Sequence, residues 1–595
     1  MSRSKARRSS LNKGAPPPSP LKPEAAATIR PRPHLGLCLL GLATLYLFVW
    51  GIGSYSLNDP WEPRYPQTVR EMIERHSVVT PYFSGDVRWT KPILVYWGMY
   101  LPILIFGNNE FTARLPSALV GVFGVLVIAY ALWKLRSPRA GIMAGLILAT
   151  IPQYFFMARQ AMPDIYLTVF LGTAMACFAL GRFGAERQRL YFGLFYASVG
   201  LAFLAKGPVA GVITIVAVVF FWLIDFDIKR IVTPRLAWAD LRQTVSRYHV
   251  LLGLVVFVAV AGPWYFAIWI EHGNEFIDSF FRGENLHRFE EPVKGLTGTA
   301  SHYVETMFHG MFPWNSLLPI ALVFLFYGVR ERDEEFRQRW YWVCWLFAIF
   351  MLFTFSGTKL DHYILPITVS LAVIIALFWE RYLSGAMPPW APAALLVSVG
   401  FVVLPLRDFL LLSNKYIMDS YTNKQVIENI DIGPALKWIF GSWAVVMGLS
   451  LLTRRAILIA TLAVAVAFGN AIYFAHYVLP KQGPVRSVKQ YVEFREQNGG
   501  PDSMLVFFGL IRHSMTYYAG PSESWKYFRA SQAVEAARYV AGNQKAFIIA
   551  ERKYVNVLLV ALRRFAPGRW SRVTSENVQY DLITNVPVQE ATLSR

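Results

Sequence analysis

The charged residues of this sequence that could do chemistry sit in the short segments between apolar runs. Asn58-Asp59-Pro60-Trp61-Glu62-Pro63-Arg64-Tyr65 opens the first segment, which goes on through Arg70, Glu71 and Arg88-Trp89-Thr90-Lys91-Pro92. Arg159 and Asp164 flank a second junction, and Ala205-Lys206-Gly207-Pro208 forms a third. A longer segment carries Arg282-Gly283-Glu284-Asn285-Leu286-His287-Arg288-Phe289, then His302 and Tyr303, and a last short one reads Ser356-Gly357-Thr358-Lys359-Leu360-Asp361-His362-Tyr363. If these segments share one face, the carboxylates Asp59, Glu62 and Asp164 converge on one cavity with the cations Arg64, Lys91, Lys206, Arg288 and Lys359. Lysine and arginine hold phosphate oxygens and stabilise the charge that grows as a phosphate leaves. A carboxylate takes a proton from an attacking hydroxyl, or stabilises a cationic, sugar-like transition state. The set therefore suits transfer from a lipid phosphate. His287 is the candidate ligand for a divalent metal ion, although His287 and His302 lack a defined ligand spacing.

Each signal also has a purely structural reading. Asp59 and Glu62 beside Pro60 and Pro63 suit a solvated turn. Lys91 and Lys359 suit interfacial side chains reaching for water, and Asp164 suits a helix cap. The residues by themselves leave an enzyme and a lipid or solute transporter both open.

The elements that must position these groups follow from composition. The chain has 595 residues, 55% hydrophobic and only 16% charged, with a net charge of +20. Soluble chains carry about 25% charged residues, so the apolar runs read as membrane spans. The cysteines Cys38, Cys177 and Cys344 all lie in such runs and read as small buried hydrophobes. Residues 1–34, rich in Pro, Ser, Ala, Lys and Arg, read as a disordered basic tail. Leu35–Gly53 is apolar and about 19 residues long, enough to cross a bilayer core of roughly 30 Å.

By the positive-inside rule the tail is cytoplasmic and the first loop, 54–114, lies outside. The apolar stretch Ile93–Phe106 within it is short for a span and reads as interfacial or re-entrant. Further spans are expected near 115–133, 140–157, 165–181, 190–205, 208–224, 250–270, 314–329, 340–356, 363–379, 388–405, 436–452 and 456–478, thirteen in all. This count puts the basic clusters Arg182/Arg187/Arg189, Lys229/Arg230/Arg235/Arg242/Arg247, Arg330/Arg332/Arg337/Arg339 and Arg454/Arg455 inside. Reading 93–106 as a span would put them outside. The large loop 271–313 and the region 480–595 then fall outside. The latter alternates strand-like runs (Met504–Gly509, Lys545–Ala550) with amphipathic helices (Ser531–Val540, Val555–Phe565), as in a small α/β domain. Membrane topology absorbs the basic excess, so no nucleic-acid partner is needed to explain it.

The ordered motifs resemble the bacterial ArnT-like lipid A glycosyltransferases, within the wider protein O-mannosyltransferase-like, GT-C superfamily. They are Glu62-Pro63-Arg64-Tyr65 with Arg70-Glu71-Met72, Lys91-Pro92 with Tyr96-Trp97, Phe106-Gly107-Asn108-Asn109-Glu110-Phe111 with Arg114-Leu115, Asp164, Lys206-Gly207, Arg288-Phe289, Phe312-Pro313-Trp314, and Lys359-Leu360 with Tyr363-Ile364-Leu365-Pro366. The resemblance implies a GT-C membrane domain over 35–479 with about thirteen transmembrane helices, and a periplasmic α/β domain over 480–595. It implies the bacterial inner membrane, a polyprenyl-phosphate-linked sugar as donor, and inverting transfer to lipid A or another envelope glycan on the periplasmic side. A protein hydroxyl is the alternative acceptor.

Carried over by position, Arg64, Tyr65 and Lys91 would hold the donor phosphate and Asp164 would lie near the sugar. Lys206, Arg288, Lys359 and Tyr363 would line the cavity or receive the acceptor. For a hydroxyl acceptor, Glu62 is the first candidate base and Asp59 the second. The chain departs from the family pattern at Trp61, Thr90 and Asn285, where an acid, an acid and a histidine are expected.

Overall fold

A computed structural model of the chain describes residues 33–587, apart from 185, 226–241, 288–300, 328–332, 386, 389, 412–432, 454, 501–502, 521–523, 544, 576 and 578. Up to residue 486 it is almost wholly helical, because apolar runs without water must satisfy their backbone groups internally. The helices that position the site are α1 (Pro33–Val49), α2 (Arg64–Glu74), α3 (Leu94–Phe106), α4 (Glu110–Leu135), α5 (Pro138–Thr150), α6 (Pro152–Ala158), α7 (Pro163–Phe183) and α8 (Gln188–Lys206). The central helix is α7, buried on nearly all sides and packed between α4 and α8.

Among the described residues, four helices are long and apolar enough to cross a membrane: Glu110–Leu135, Pro163–Phe183, Val250–His272 and Ala456–Arg486. Two bent pairs raise this to six if each is one span. The first pair corrects a straight helix expected from sequence. The run 140–157 breaks into α5 and α6 with a bend of 70°. Ile151 there is extended, at φ −64° and ψ 117°, because the following Pro152 disfavours helical geometry in the residue before it. Trp314–Phe326, within the span expected over 314–329, is the second half of a pair with His302–Gly310, and the bend of 115° lies before it, around Phe312-Pro313. The short apolar stretch of the first loop is α3, thirteen residues long, with Leu101, Leu104, Ile105 and Phe106 exposed.

The first loop also holds a two-stranded hairpin, β1 (Tyr82–Phe83) and β2 (Asp86–Val87). The Glu71 carboxylate fixes its turn by accepting from the Ser84 and Gly85 amides at 2.8 and 3.0 Å.

Toward the C-terminus, β3 (Met504–Phe508), β4 (Trp525–Phe528), β5 (Ala546–Glu551), β6 (Ser571–Val573) and β7 (Tyr580–Thr584) form one sheet in the order β4-β3-β5-β7-β6. β3 runs parallel to β4 and β5, while β7 is antiparallel to β5 and β6. Side chains alternate between the sheet faces with a period of two. Val506, Phe508 and Ile548 pack against helices 533–540 and 555–565, whereas Leu505, Phe507 and Ile549 pack with Tyr491 and Met515.

This sheet unit is fastened to the first loop by specific contacts. Glu110 at the start of α4 accepts from Lys489 Nζ at 2.7 Å and from the Tyr518 hydroxyl at 3.0 Å. The same Tyr518 hydroxyl accepts from the Leu57 amide at 2.7 Å. Asp59 accepts from the Ser514 amide at 2.9 Å and from the Ser514 hydroxyl.

Candidate active site

The first loop is folded around Arg114, a charge in the apolar helix α4 and wholly buried. All five of its N–H donors are used. Nε and Nη2 hold the two Glu62 oxygens at 2.6 and 2.8 Å. Nη1 donates to the Ile52 and Tyr55 carbonyls, both at 2.7 Å, and Nη2 also donates to the Ser56 carbonyl at 2.9 Å. The Tyr55 ring lies 4.0 Å from the guanidinium. Glu62 takes two further bonds, from the Asn58 and Ala161 amides at 3.0 Å each.

This corrects the role expected for Glu62. Its oxygens already accept four hydrogen bonds, so it ties the loop, α4 and the α6–α7 junction together and is poorly placed to take a proton. Asp59 is likewise committed to Ser514. Burial pushes its carboxyl up to about 6, against the lowering effect of Ser514, Arg512 and Arg64. Both of its oxygens are taken by Ser514, so it docks the sheet unit onto the first loop rather than standing ready as a base.

A second charged cluster stands where α7, α8 and the 361–364 turn meet. Asp164, in the first turn of α7, accepts from Lys206 Nζ at 2.5 Å, and both side chains are buried. Lys206 ends α8 and lies 4.3 Å from the Tyr363 ring. Gly207 follows it at φ +76°, a conformation L side chains rarely adopt, and a Cβ there would meet Phe280 at 2.7 Å. The turn thus aims Lys206 back at Asp164. His362 Nε2 lies 3.9 Å from the Asp164 carboxylate, and its ring meets Trp61 edge-on at 6.2 Å.

Two cavities flank this cluster. The first, about 510 Å³, is lined by Lys91, Lys206, Arg282, Glu284 and Tyr363 among apolar walls that include Val209, Phe281, Leu286 and Phe353. The second, about 390 Å³, is lined by Asn58, Asp59, Trp61, Glu62, Gln153, His309, Asp361, His362 and Arg486, among others. Tyr363 faces the first and His362 the second, so consecutive residues stand at the boundary between them. A third, more apolar cavity of about 230 Å³ shares Pro152, Phe156 and His309 with the second and continues along Phe308, Phe312, Phe440 and Phe474.

The remaining expected residues are spread around this centre. Lys91 lines the first cavity and donates to the Thr90 carbonyl at 2.9 Å. The Arg64 guanidinium lies 5.0 Å from the Trp61 ring. Tyr65 is buried 6.0 Å from Tyr96 and 5.0 Å from the Arg88 guanidinium. Arg88 itself joins α2 to the residues before α3, donating to the Arg64 carbonyl at 3.2 Å and to the Thr68 and Thr90 hydroxyls at 3.1 and 3.0 Å.

Lys359 is buried and lines none of the three cavities, contrary to the cavity role expected for it. Its Nζ donates to the Thr354 and Ser356 carbonyls at 2.7 and 3.0 Å, closing the end of a helix. Arg288 lies outside the described residues. Among the described residues no group of three or more His, Cys, Asp or Glu is arranged to hold a metal ion, so no such donor set is assembled around His287.

Sequence reasoning passed over Arg114 and His362. The signal for Arg114 was a lone arginine in an otherwise apolar helix, which demands a buried partner.

Known proteins share this architecture. The crystal structure of ArnT from Cupriavidus metallidurans bound to undecaprenyl phosphate superposes with a TM-score of 0.70, covering 94% of this chain and 99% of that one at 20% identity. Its apo state gives 0.69 at 19% identity. The fold is that of ArnT. With it, the chain is a multi-pass membrane protein and mostly helical. Residues 90–265 match the family model described as dolichyl-phosphate-mannose-protein mannosyltransferase. The undecaprenyl phosphate-alpha-4-amino-4-deoxy-L-arabinose arabinosyl transferase of Yersinia pestis is 28% identical over 350 residues, 58% of this chain and 59% of that protein. An uncharacterized protein of Aquifex aeolicus is 26% identical over 352 residues, 59% of this chain and 75% of its own. The match thus spans less than two thirds of the arabinosyl transferase.

Proposed function

We propose that this chain is a membrane glycosyltransferase that moves a sugar from a polyprenyl-phosphate donor to lipid A or another envelope glycan. One observation carries the reading. The first cavity joins two lysines, Lys91 and Lys206, to apolar walls, and Lys206 also grips the carboxylate Asp164. A lipid phosphate needs both an apolar channel and cations, and a sugar beside the phosphate needs a carboxylate. The likeness to an ArnT structure holding undecaprenyl phosphate supports the same assignment. In this reading Lys91 and Lys206 hold the donor phosphate, with Arg64 and Tyr65 shaping the approach, and Asp164 stabilises positive charge developing on the sugar. The amphipathic pair formed by the second and third cavities receives a lipid-linked acceptor.

The finer topology belongs to the proposal. Thirteen spans, a cytoplasmic N-terminus and a periplasmic sheet domain in the bacterial inner membrane keep the basic clusters inside. Deleting the gene and comparing lipid A and the other envelope glycans by mass spectrometry tests the function. A missing sugar mass, restored by the intact chain and not by Lys91→Ala, is expected. Unchanged glycans would overturn the proposal.

A further inference from the structure

The segment 54–63 forms turns and bends but no helix or strand, yet it carries Trp61 and leads into Arg64 and Tyr65 at the start of α2. A segment without repeating backbone bonds needs outside contacts to offset the entropy of fixing it. Glu62 supplies one set, to Arg114 and to the Asn58 and Ala161 amides.

The other set comes from the sheet unit, out of one short helix, His513–Tyr518. Ser514 holds the Asp59 carboxylate through its amide, at 2.9 Å, and through its hydroxyl. The Tyr518 hydroxyl accepts from the Leu57 amide at 2.7 Å and donates to Glu110 at 3.0 Å. The Thr516 and Tyr517 carbonyls accept from Arg70 at 3.4 and 3.3 Å. The Tyr517 hydroxyl donates to Asn108 Oδ1 at 3.2 Å.

These anchors bracket the donor side of the site. Leu57 and Asp59 precede Trp61 and Arg64 in the chain, and Arg70 follows them on α2. Glu110 opens α4 one turn before Arg114, the residue that grips Glu62. One short helix therefore fixes both the irregular segment and the helix that clamps it. Tyr518 is the residue that joins the two directly, because a single hydroxyl bonds the Leu57 amide and the Glu110 carboxylate.

We propose that the sheet unit is part of the donor site, with Tyr518 as a positioning residue that acts through Leu57 and Glu110 to hold Arg64 and Tyr65 where they meet the polyprenyl phosphate. This rests on the glycosyltransferase reading above. Leu57 is wholly buried. Without the Tyr518 hydroxyl its amide loses the partner it has there, and a buried N–H that loses its partner drives the backbone to shift until it finds another. Such a shift moves Arg64, seven residues on, away from the geometry that binding requires.

The test uses the full-length chain in detergent micelles, with undecaprenyl phosphate as the probe and titration calorimetry as the measurement. Tyr518→Phe removes one hydroxyl and keeps the ring; the Kd for undecaprenyl phosphate should rise about 10-fold. Ser514→Ala, which releases Asp59 from the same short helix, should weaken binding in the same direction. Tyr491→Phe is the matched control. Its hydroxyl bonds Ser575 and the Tyr580 carbonyl inside the sheet unit, so its loss should lower Tm without changing the Kd. Equal weakening in Tyr491→Phe would mean general loss of stability and would overturn the inference. Parent-like affinity in both Tyr518→Phe and Ser514→Ala would overturn it too, and would leave the transferase reading standing. A parent chain that does not bind undecaprenyl phosphate would overturn that reading and this one with it.

Discussion

Lys206 Nζ donates to Asp164 Oδ1 at 2.5 Å, linking the last residue of one central helix to the first turn of the next, with both side chains buried. Breaking a buried pair strands an uncompensated charge, at a cost of about 3–5 kcal/mol. Lys206→Met should therefore both destabilise the protein and abolish transfer. The double variant Asp164→Asn/Lys206→Met should be less unstable than the sum of its single variants. Thermal unfolding of the four proteins in detergent checks this as a double-mutant cycle; additive losses would show that the two do not act as a pair.

Glu62 and Arg114 make a different test, because the carboxylate is structural here. Glu62→Gln keeps the shape but leaves the guanidinium without its charge partner. Loss of stability on the order of 3 kcal/mol is expected. Arg114→Met should behave in the same way, although Arg114 lines none of the three cavities described. Stability like that of the parent with activity lost at Glu62→Gln alone would restore the catalytic reading of Glu62.

The contact between Asp59 and Ser514 should give stability a pH dependence. The folded protein pushes the Asp59 carboxyl up from 3.8 to about 6, through burial. The folded state therefore binds the proton more tightly than the unfolded state. That stabilisation is full below pH 3.8 and is lost as pH rises through about 6. The gap is worth at most roughly 3 kcal/mol, less where water reaches this half-buried group. Asp59→Asn should flatten the Tm profile between pH 4 and 6 and raise Tm above pH 6. An unchanged profile would contradict the assignment.

Lys91 lines the first cavity and is proposed to hold the donor phosphate. A hydrogen bond to a charged group is worth about 1.5–3 kcal/mol. Lys91→Ala should weaken binding of undecaprenyl phosphate roughly 10- to 100-fold while leaving Tm close to that of the parent. Titration calorimetry in micelles measures it, and unaltered affinity would remove Lys91 from the site.

Much of this molecule was legible in the sequence because apolar runs and basic clusters act one residue at a time. A long apolar run must become a helix in lipid, wherever its neighbours lie. Lys91, Asp164 and Lys206 were likewise visible as charges at the ends of such runs. What only the tertiary structure decided was which charges consume one another. Glu62 and Asp59 read as equal candidates for a base until Arg114, fifty-two residues beyond Glu62, and Ser514, 455 beyond Asp59, are brought against them. Lys359 read as a cavity lysine until its own turn folded two carbonyls onto it. His362 gained its place in the same way, from Asp164 nearly two hundred residues earlier in the chain. Hydrogen bonds and ion pairs act over about 3–4 Å, and the sequence does not specify which distant residues will come within that range.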